Sequence, residues 1–246
     1  MALPAVTTTA SNLDVVIGPD GLPRLSQAYL DAYERFMQTI VTEDDAPLDN
    51  LFSAIQARLL IEPLYASWSH PRFGRRFVAN GNVGVFYALR QPPLVPDMFL
   101  SLDVVLPANL MKKTNRSYFI WEYGKPPDLV VEIVSNTEGG EERADGKLRT
   151  YAQMGVGRYV VYDPALWMGA EPLRVYALSH GQLKRTGETW FEELSLGVVL
   201  WRGSYEGCEE TWLRWCDREG VIIPTGAERA ERLAAKLRAA GIDPDA

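Results

Sequence analysis

Glu132 stands in Leu129-Val130-Val131-Glu132-Ile133-Val134, an otherwise continuous apolar and largely β-branched run. Such a run reads as a strand buried on both faces. An ionised carboxylate buried there without a partner costs several kcal/mol, more than its packing returns. Glu132 must therefore be paired, protonated or bound to a cation. A salt bridge at the strand end is the plain reading, and a metal ligand is the sharper one. A second carboxylate has a similar setting: Asp97 follows Pro96 and precedes the apolar Met98-Phe99-Leu100. Pro-Asp is also a common turn former, so Asp97 alone marks only a loop. Lys147 lies fifteen positions after Glu132, in Gly146-Lys147-Leu148-Arg149, and a single helix lysine is ordinarily a solvated charge. Only the three together rise above background.

Other chemistries have less support. The chain has two histidines, His70 and His180, and two cysteines, Cys208 and Cys216. Without a CxxC or HExxH spacing they offer a four-ligand zinc site in only one combination, so a metal here would be held by oxygen. Neither histidine has a serine or carboxylate motif beside it, which gives hydrolase triads little support. Gly139-Gly140 ahead of a helix reads as a plain loop, since no GxxxxGK[ST] is present. The cysteines read as buried thiols acting as small hydrophobes. The formal net charge of -7, from 25 Lys+Arg against 32 Asp+Glu, argues against coating nucleic acid by bulk attraction. It leaves room for a local basic rim: Arg72, Arg75 and Arg76; Lys112, Lys113 and Arg116; and Lys125, Lys147 and Arg149, with Phe73, Phe77, Tyr118 and Trp121 among them. Each cluster taken singly reads first as an ordinary charged strand edge. No signal-peptide pattern and no membrane span is readable, so the expected location is cytoplasmic.

These residues need elements to hold them. Ser26 offers an N-cap to an amphipathic helix over 26–41, and after the acidic break at 43–47 a second helix starts near Leu48, with Pro63 expected to stop it. From residue 75 the pattern changes to strands, over 75–79, 83–89, 98–102, 117–123, 129–135, 158–163, 173–178, 182–186 and 198–201. A helix over 141–154, closed by Gly155, joins the Glu132 strand to the next one. Strand, helix, strand suggests a parallel crossover, so the class is α/β (α+β), a central mixed sheet flanked by helices. A narrow seam of Ala230, Leu233, Leu237 and Ala240 suits a C-terminal helix that either joins two copies or covers its own chain. The expected organisation is an irregular segment and helix over 1–46, a main domain over 47–207 and a helical extension over 208–246.

Several stretches in order resemble one family: Pro96-Asp97; Pro127-Asp128 through Ser135; Lys147-Leu148 with Tyr151-Ala152 and Gly155-Val156; and Tyr159-Val160-Val161-Tyr162-Asp163-Pro164. This set resembles a bacterial restriction-endonuclease family, abundant in cyanobacteria, of the PD-(D/E)XK nuclease superfamily. The likeness spans roughly 48–205, and the tail from Leu237 to Asp245 is similar to the ending of many members. The resemblance implies a restriction-endonuclease-like sheet, with Asp97 and Glu132 as acidic metal ligands aided by the Ile133 carbonyl. It also implies one or two Mg²⁺ ions, with Mn²⁺ as substitute, and metal-activated hydrolysis of DNA phosphodiester bonds, the DNA double-stranded and the enzyme a homodimer. The superfamily pattern places a lysine two residues after the glutamate on the same strand, where this chain has Val134. Lys147 on the following helix is the residue that matches, charged at neutral pH and so suited to orienting water or stabilising the transition state. The competing expectation is a catalytically inactive module that keeps the fold for binding DNA or protein.

Overall fold

A computed structural model describes residues 15–19, 22–39, 50–135 and 146–244. In chain order the elements are β1 (Val15–Ile17), β2 (Pro23–Leu25), α1 (Gln27–Thr39), α2 (Leu51–Ser67), β3 (Phe77–Asn80), β4 (Val85–Phe86), β5 (Met98–Leu102), β6 (Tyr118–Phe119) and α3 (Ile120–Tyr123). They continue with β7 (Leu129–Ile133), α4 (Lys147–Met154), β8 (Arg158–Tyr162), β9 (Leu173–Ser179), β10 (Gln182–Thr186), β11 (Trp190–Phe191), β12 (Leu196–Tyr205), β13 (Cys208–Cys216) and α5 (Gly226–Ala239).

Among the described residues the largest sheet has six strands in the order β10-β9-β8-β7-β5-β3. Only β7 and β8 run parallel, and α4 crosses between them; the other neighbours are antiparallel. This is the mixed sheet and parallel crossover that the sequence suggests. Strand alternation sends Leu129, Val131 and Ile133 into one core, with Leu60 and Leu64 of α2 and Leu213 and Trp215 of β13. Val130 and Val134 face the other way, into a core with Tyr151 and Val156. Glu132 shares that second face, the one α4 covers.

The first face is closed by α2 and a three-stranded sheet β11-β12-β13. Gln56 of α2 pairs its amide with both backbone groups of Leu213, at 2.8 and 2.9 Å, and the Trp215 indole donates to the Leu60 carbonyl at 2.6 Å. Pro63 does not stop α2, which runs on to Ser67. A proline inside a helix costs about 3 kcal/mol; burial of Leu59, Leu60, Leu64 and Trp68 around it, at about 1.5–3 kcal/mol each, outweighs that loss.

The segment after Cys208 departs from the expected helical extension. Residues Cys208–Cys216 form β13, paired with β12 from Tyr205 opposite Cys208 to Gly197 opposite Cys216. Glu206 and Gly207 both have positive φ, 49° and 79°, the two-residue turn whose twist matches a hairpin. The strand expected over 198–201 is thus one arm of a long ribbon, and helix begins only at Gly226. Cys208 is exposed, not buried, while Cys216 is buried. The strand expected over 117–123 shortens to β6 and turns into α3. The α4 expectation holds for Lys147–Met154; residues 141–145, Gly139-Gly140, Leu48 and the acidic break at 43–47 lie outside the described residues. Helix α1 begins where expected, with the Ser26 hydroxyl accepting from the Tyr29 amide at 3.2 Å.

Helix α5 buries none of its residues and leaves Leu233 exposed. It is held at its start: Thr225 and Glu228 form a capping box, and Glu228 takes both terminal nitrogens of Arg214 at 2.7 and 2.6 Å. The Arg214 guanidinium holds the Glu228 carboxyl below the usual carboxylate range, against the smaller opposing effect of burial. No helix among the described residues is long and apolar enough to cross a membrane.

Candidate active site

The antiparallel register of β5 and β7 sets Met98 opposite Val131. One step further along the same register brings Asp97 opposite Glu132, on the α4 face. The Ile133 amide donates to Asp97 Oδ2 at 2.6 Å, which locks the aspartate against the end of β7. The turn after β3 clamps it from the other side: the Asn82 amide donates to the Pro96 carbonyl at 3.0 Å. Gly81 touches Asp97 so closely that an added Cβ would lie 2.3 Å from the Asp97 carbonyl oxygen. A glycine is required there by contact with backbone that cannot give way.

Asp97 is 6% exposed and Glu132 1%. Two carboxylates directly opposite on one face repel each other, and both are desolvated, so the pair needs a cation. Lys147, the first residue of α4, donates from Nζ to Glu132 Oε2 at 2.7 Å. Its side chain is 31% exposed, so the ammonium joins the buried acids to solvent. The salt bridge of the plain reading is present, and Lys147 is the residue that makes it.

One member of this group was not singled out in the sequence. Tyr151 is fully buried and donates its hydroxyl to Glu132 Oε1 at 2.7 Å. Burial, and after it the charge of Glu132, raises the Tyr151 phenol well above its usual range, so Tyr151 remains a donor at any working pH. The signal was available: Tyr151 lies four residues after Lys147, one turn along the same helix face. Both oxygens of Glu132 are thus gripped from α4, a carboxylate having about four acceptor positions in all. Val134, where the superfamily pattern has its lysine, is buried in the core beside α4.

The remaining acids are held elsewhere. Asp163 accepts the Trp167 and Met168 amides at 2.9 and 2.7 Å and faces Arg174 at 3.4 Å. Asp128 accepts from the Leu102 amide and from Lys125; Asp103 pairs with Arg76; Glu122 accepts from Tyr33. Lys125 also donates to the Leu102 carbonyl, so it ties the sheet to a loop and does not belong to a rim around Lys147. His70 is structural: its Nδ1 accepts the Arg72 and Phe73 amides at 3.1 Å, and its Nε2 faces the Glu193 carbonyl. Among the described residues no group of three or more His, Cys, Asp or Glu is gathered for a metal. Glu138, Glu141, Glu142 and Asp145, between β7 and α4 in sequence, lie outside the described residues.

The elements that build this group fall within one family profile. The Uma2 family, described as "Putative restriction endonuclease", matches residues 32–201, more than half of the chain. The chain belongs to the Uma2 family. No curated protein and no solved structure matches it. The Uma2 match takes in β5, β7, α4 and β8 whole and ends inside β12, so Asp97, Glu132, Lys147 and Tyr151 all lie within it, while β13 and α5 lie beyond. The mixed sheet with flanking helices agrees with a restriction-endonuclease-like fold.

Proposed function

We propose that this Uma2 chain is a metal-dependent endonuclease that hydrolyses phosphodiester bonds in double-stranded DNA. The observation that carries the reading is the pair of buried carboxylates set opposite each other at the ends of two adjacent inner strands, with a partly exposed lysine on one of them. Family membership supports the nuclease class, and DNA follows from a restriction-endonuclease family.

The donor set fits a hard divalent cation. Mg²⁺ takes oxygen ligands, keeps several waters and is commonly held by only one or two carboxylates; Asp97 and Glu132 supply these, with the Ile133 carbonyl as third oxygen. When bound, Mg²⁺ or Mn²⁺ supplies a more acidic water and neutralises charge developing on the phosphate. The chain's own residues do the remaining work. The Ile133 amide and the Gly81 contact hold Asp97 in place, and Tyr151 fixes Glu132, so neither carboxylate must reorganise during reaction. Lys147 brings a positive charge that reaches solvent, where it can donate to a non-bridging phosphate oxygen or orient water. Two such sites in a homodimer would serve the two strands of a duplex.

The test is cleavage of supercoiled plasmid by purified full-length protein with Mg²⁺ or Mn²⁺, beside Asp97→Ala. Metal-dependent nicking lost in the variant is the expected result. Equal cutting by the variant would remove Asp97 from the mechanism. Metal-independent DNA binding with no cutting by the native chain would favour the inactive binding module.

A further inference from the structure

Strands β7 and β8 run parallel, with Glu132 opposite Val161 and Ile133 opposite Tyr162, so the turn after β8 leaves the sheet at the same end as the acidic pair. Val161 lies on the face that α4 covers, and by alternation Asp163 lies there too. One strand spacing and two residues of rise separate the Glu132 and Asp163 Cα atoms by roughly 8 Å, about two stacked nucleotides. The loop that follows is closed at its base, where the Asp163 amide donates to the Pro172 carbonyl at 2.7 Å. Met168 packs against the core on the α4 face, so the loop returns over the face that holds Glu132.

The tip presents two adjacent apolar side chains to solvent, Leu166 at 49% exposure and Trp167 at 44%. Neither is loosely held. Leu166 has a positive φ of 57°, which is costly for a residue with a Cβ, and the Trp167 amide is fixed on Asp163 Oδ1 at 2.9 Å. The indole itself meets no ring, cation or hydrogen-bond acceptor among the described residues. The other six of the seven tryptophans each donate from the indole or carry a guanidinium on the ring. Residues 164–170 carry no charge, and Glu171 at the end of the loop is paired with Arg185. A phosphate backbone therefore meets no unpaired acid on this loop, although the whole chain carries -7. A rigidly presented indole with an open face is what sequence-tolerant base stacking needs, and a neighbouring leucine is a common apolar wedge against bases.

We propose that Trp167 is the stacking platform for an unpaired nucleobase of the strand lying across Asp97 and Glu132, with Leu166 against the edge of that base. The proposal rests on the nuclease reading and deepens it by naming the DNA bound best, one with an unpaired base beside the bond to be cut. In continuous duplex both faces of each base are already covered and extrusion must be paid for, so such DNA gains nothing from Trp167.

The experiment uses full-length Asp97→Asn and two end-labelled DNAs, a fully paired duplex and the same duplex with one unpaired 2-aminopurine. Anisotropy gives Kd, and 2-aminopurine fluorescence reports stacking. The expected result is about tenfold tighter binding of the DNA with the unpaired base, with its fluorescence quenched on binding. Adding Trp167→Ala removes both effects and leaves the affinity for paired duplex unchanged; Trp167→Phe, which keeps a ring, retains most of the quenching. The indole is exposed, so both variants keep the native circular dichroism. Equal affinity for the two DNAs, or a preference that survives Trp167→Ala, overturns the proposal. So does a Trp167→Ala protein whose stoichiometry changes in light scattering while its DNA preference stays intact, because the loop would then join copies of the chain. Metal-dependent plasmid cutting by the native chain separates the two failures: cutting without the preference removes only the stacking site, whereas neither cutting nor binding removes the nuclease reading as well.

Discussion

Glu132 and Asp163 are both buried carboxylates at the ends of neighbouring parallel strands, yet their surroundings differ in kind. Asp163 is completely buried, and the Arg174 guanidinium facing it is 5% exposed. Two backbone amides complete its shell and close the turn after β8. Glu132 is as deeply buried, but its cation is a lysine with 31% of its side chain in solvent, and a second carboxylate stands opposite. The Asp163 pair is closed and self-sufficient. The Glu132 group places a second carboxylate opposite the first and reaches water through Lys147. Burial of a charge therefore does not by itself mark a reactive site; two buried carboxylates face to face with access to solvent are what set the Glu132 group apart.

Asp97 and Asp163 should respond to substitution in opposite ways. Asp97→Asn keeps an acceptor for the Ile133 amide and removes one of two repelling charges, so plasmid cleavage should fall on the order of a thousandfold while stability in urea stays within about 1 kcal/mol of native. Asp163→Ala should do the reverse. It removes the buried carboxylate that faces Arg174 and should cost about 3–5 kcal/mol in stability, with cleavage per folded molecule unchanged and no rescue by Mg²⁺.

Lys147→Ala sharpens the contrast. Partial exposure of the lysine limits the stability loss to about 1–2 kcal/mol, and cleavage should drop about a hundredfold. Because the variant loses the ammonium that donates to Glu132, Mg²⁺ should raise the melting temperature of this variant more than that of the native chain. An equal rise in both would mean that Lys147 and the ion do not share the carboxylates. Tyr151→Phe removes one donor from Glu132, at about 1–2 kcal/mol, and should weaken metal binding about tenfold in calorimetry.

The smallest effect is alkaline. Tyr151 has its phenol raised above the unfolded value of about 10. The stability this contributes is complete below pH 10 and is lost as pH rises beyond it, by at most about 1.4 kcal/mol per pH unit per group. Tyr151→Phe should flatten that alkaline decline in urea titrations between pH 10 and 11. An unchanged slope would mean that Tyr151 is free to ionise.

Much of the fold was legible because it is written in local pattern. β5 and β10 match their expected bounds, and the run around Glu132 is β7 with a helix after it. β13 was missed although Glu206-Gly207 is a two-residue turn signal between alternating segments, because residues rich in tryptophan and charge on either side obscured the period. Pro63 misled for a related reason: its local cost is real, but α2 is held by two layers packed against it. Glu132 was legible as a residue type out of place, and Asp97 and Lys147 only as part of a set matched to a family; Tyr151 was not, since a tyrosine in a helix looks like core until its hydroxyl has a partner.

What the chain by itself determined is the demand: a glutamate inside an apolar strand needs a partner, and a histidine- and cysteine-poor composition directs any metal to oxygen. Only the tertiary structure decided how that demand is met. The β5–β7 register set Asp97 opposite Glu132, and the crossing of α4 aimed Lys147 and Tyr151 at the same carboxylate. Side-chain alternation and polarity are properties of neighbours in sequence, whereas register and helix docking depend on contacts between distant segments, whose free energies no single stretch contains.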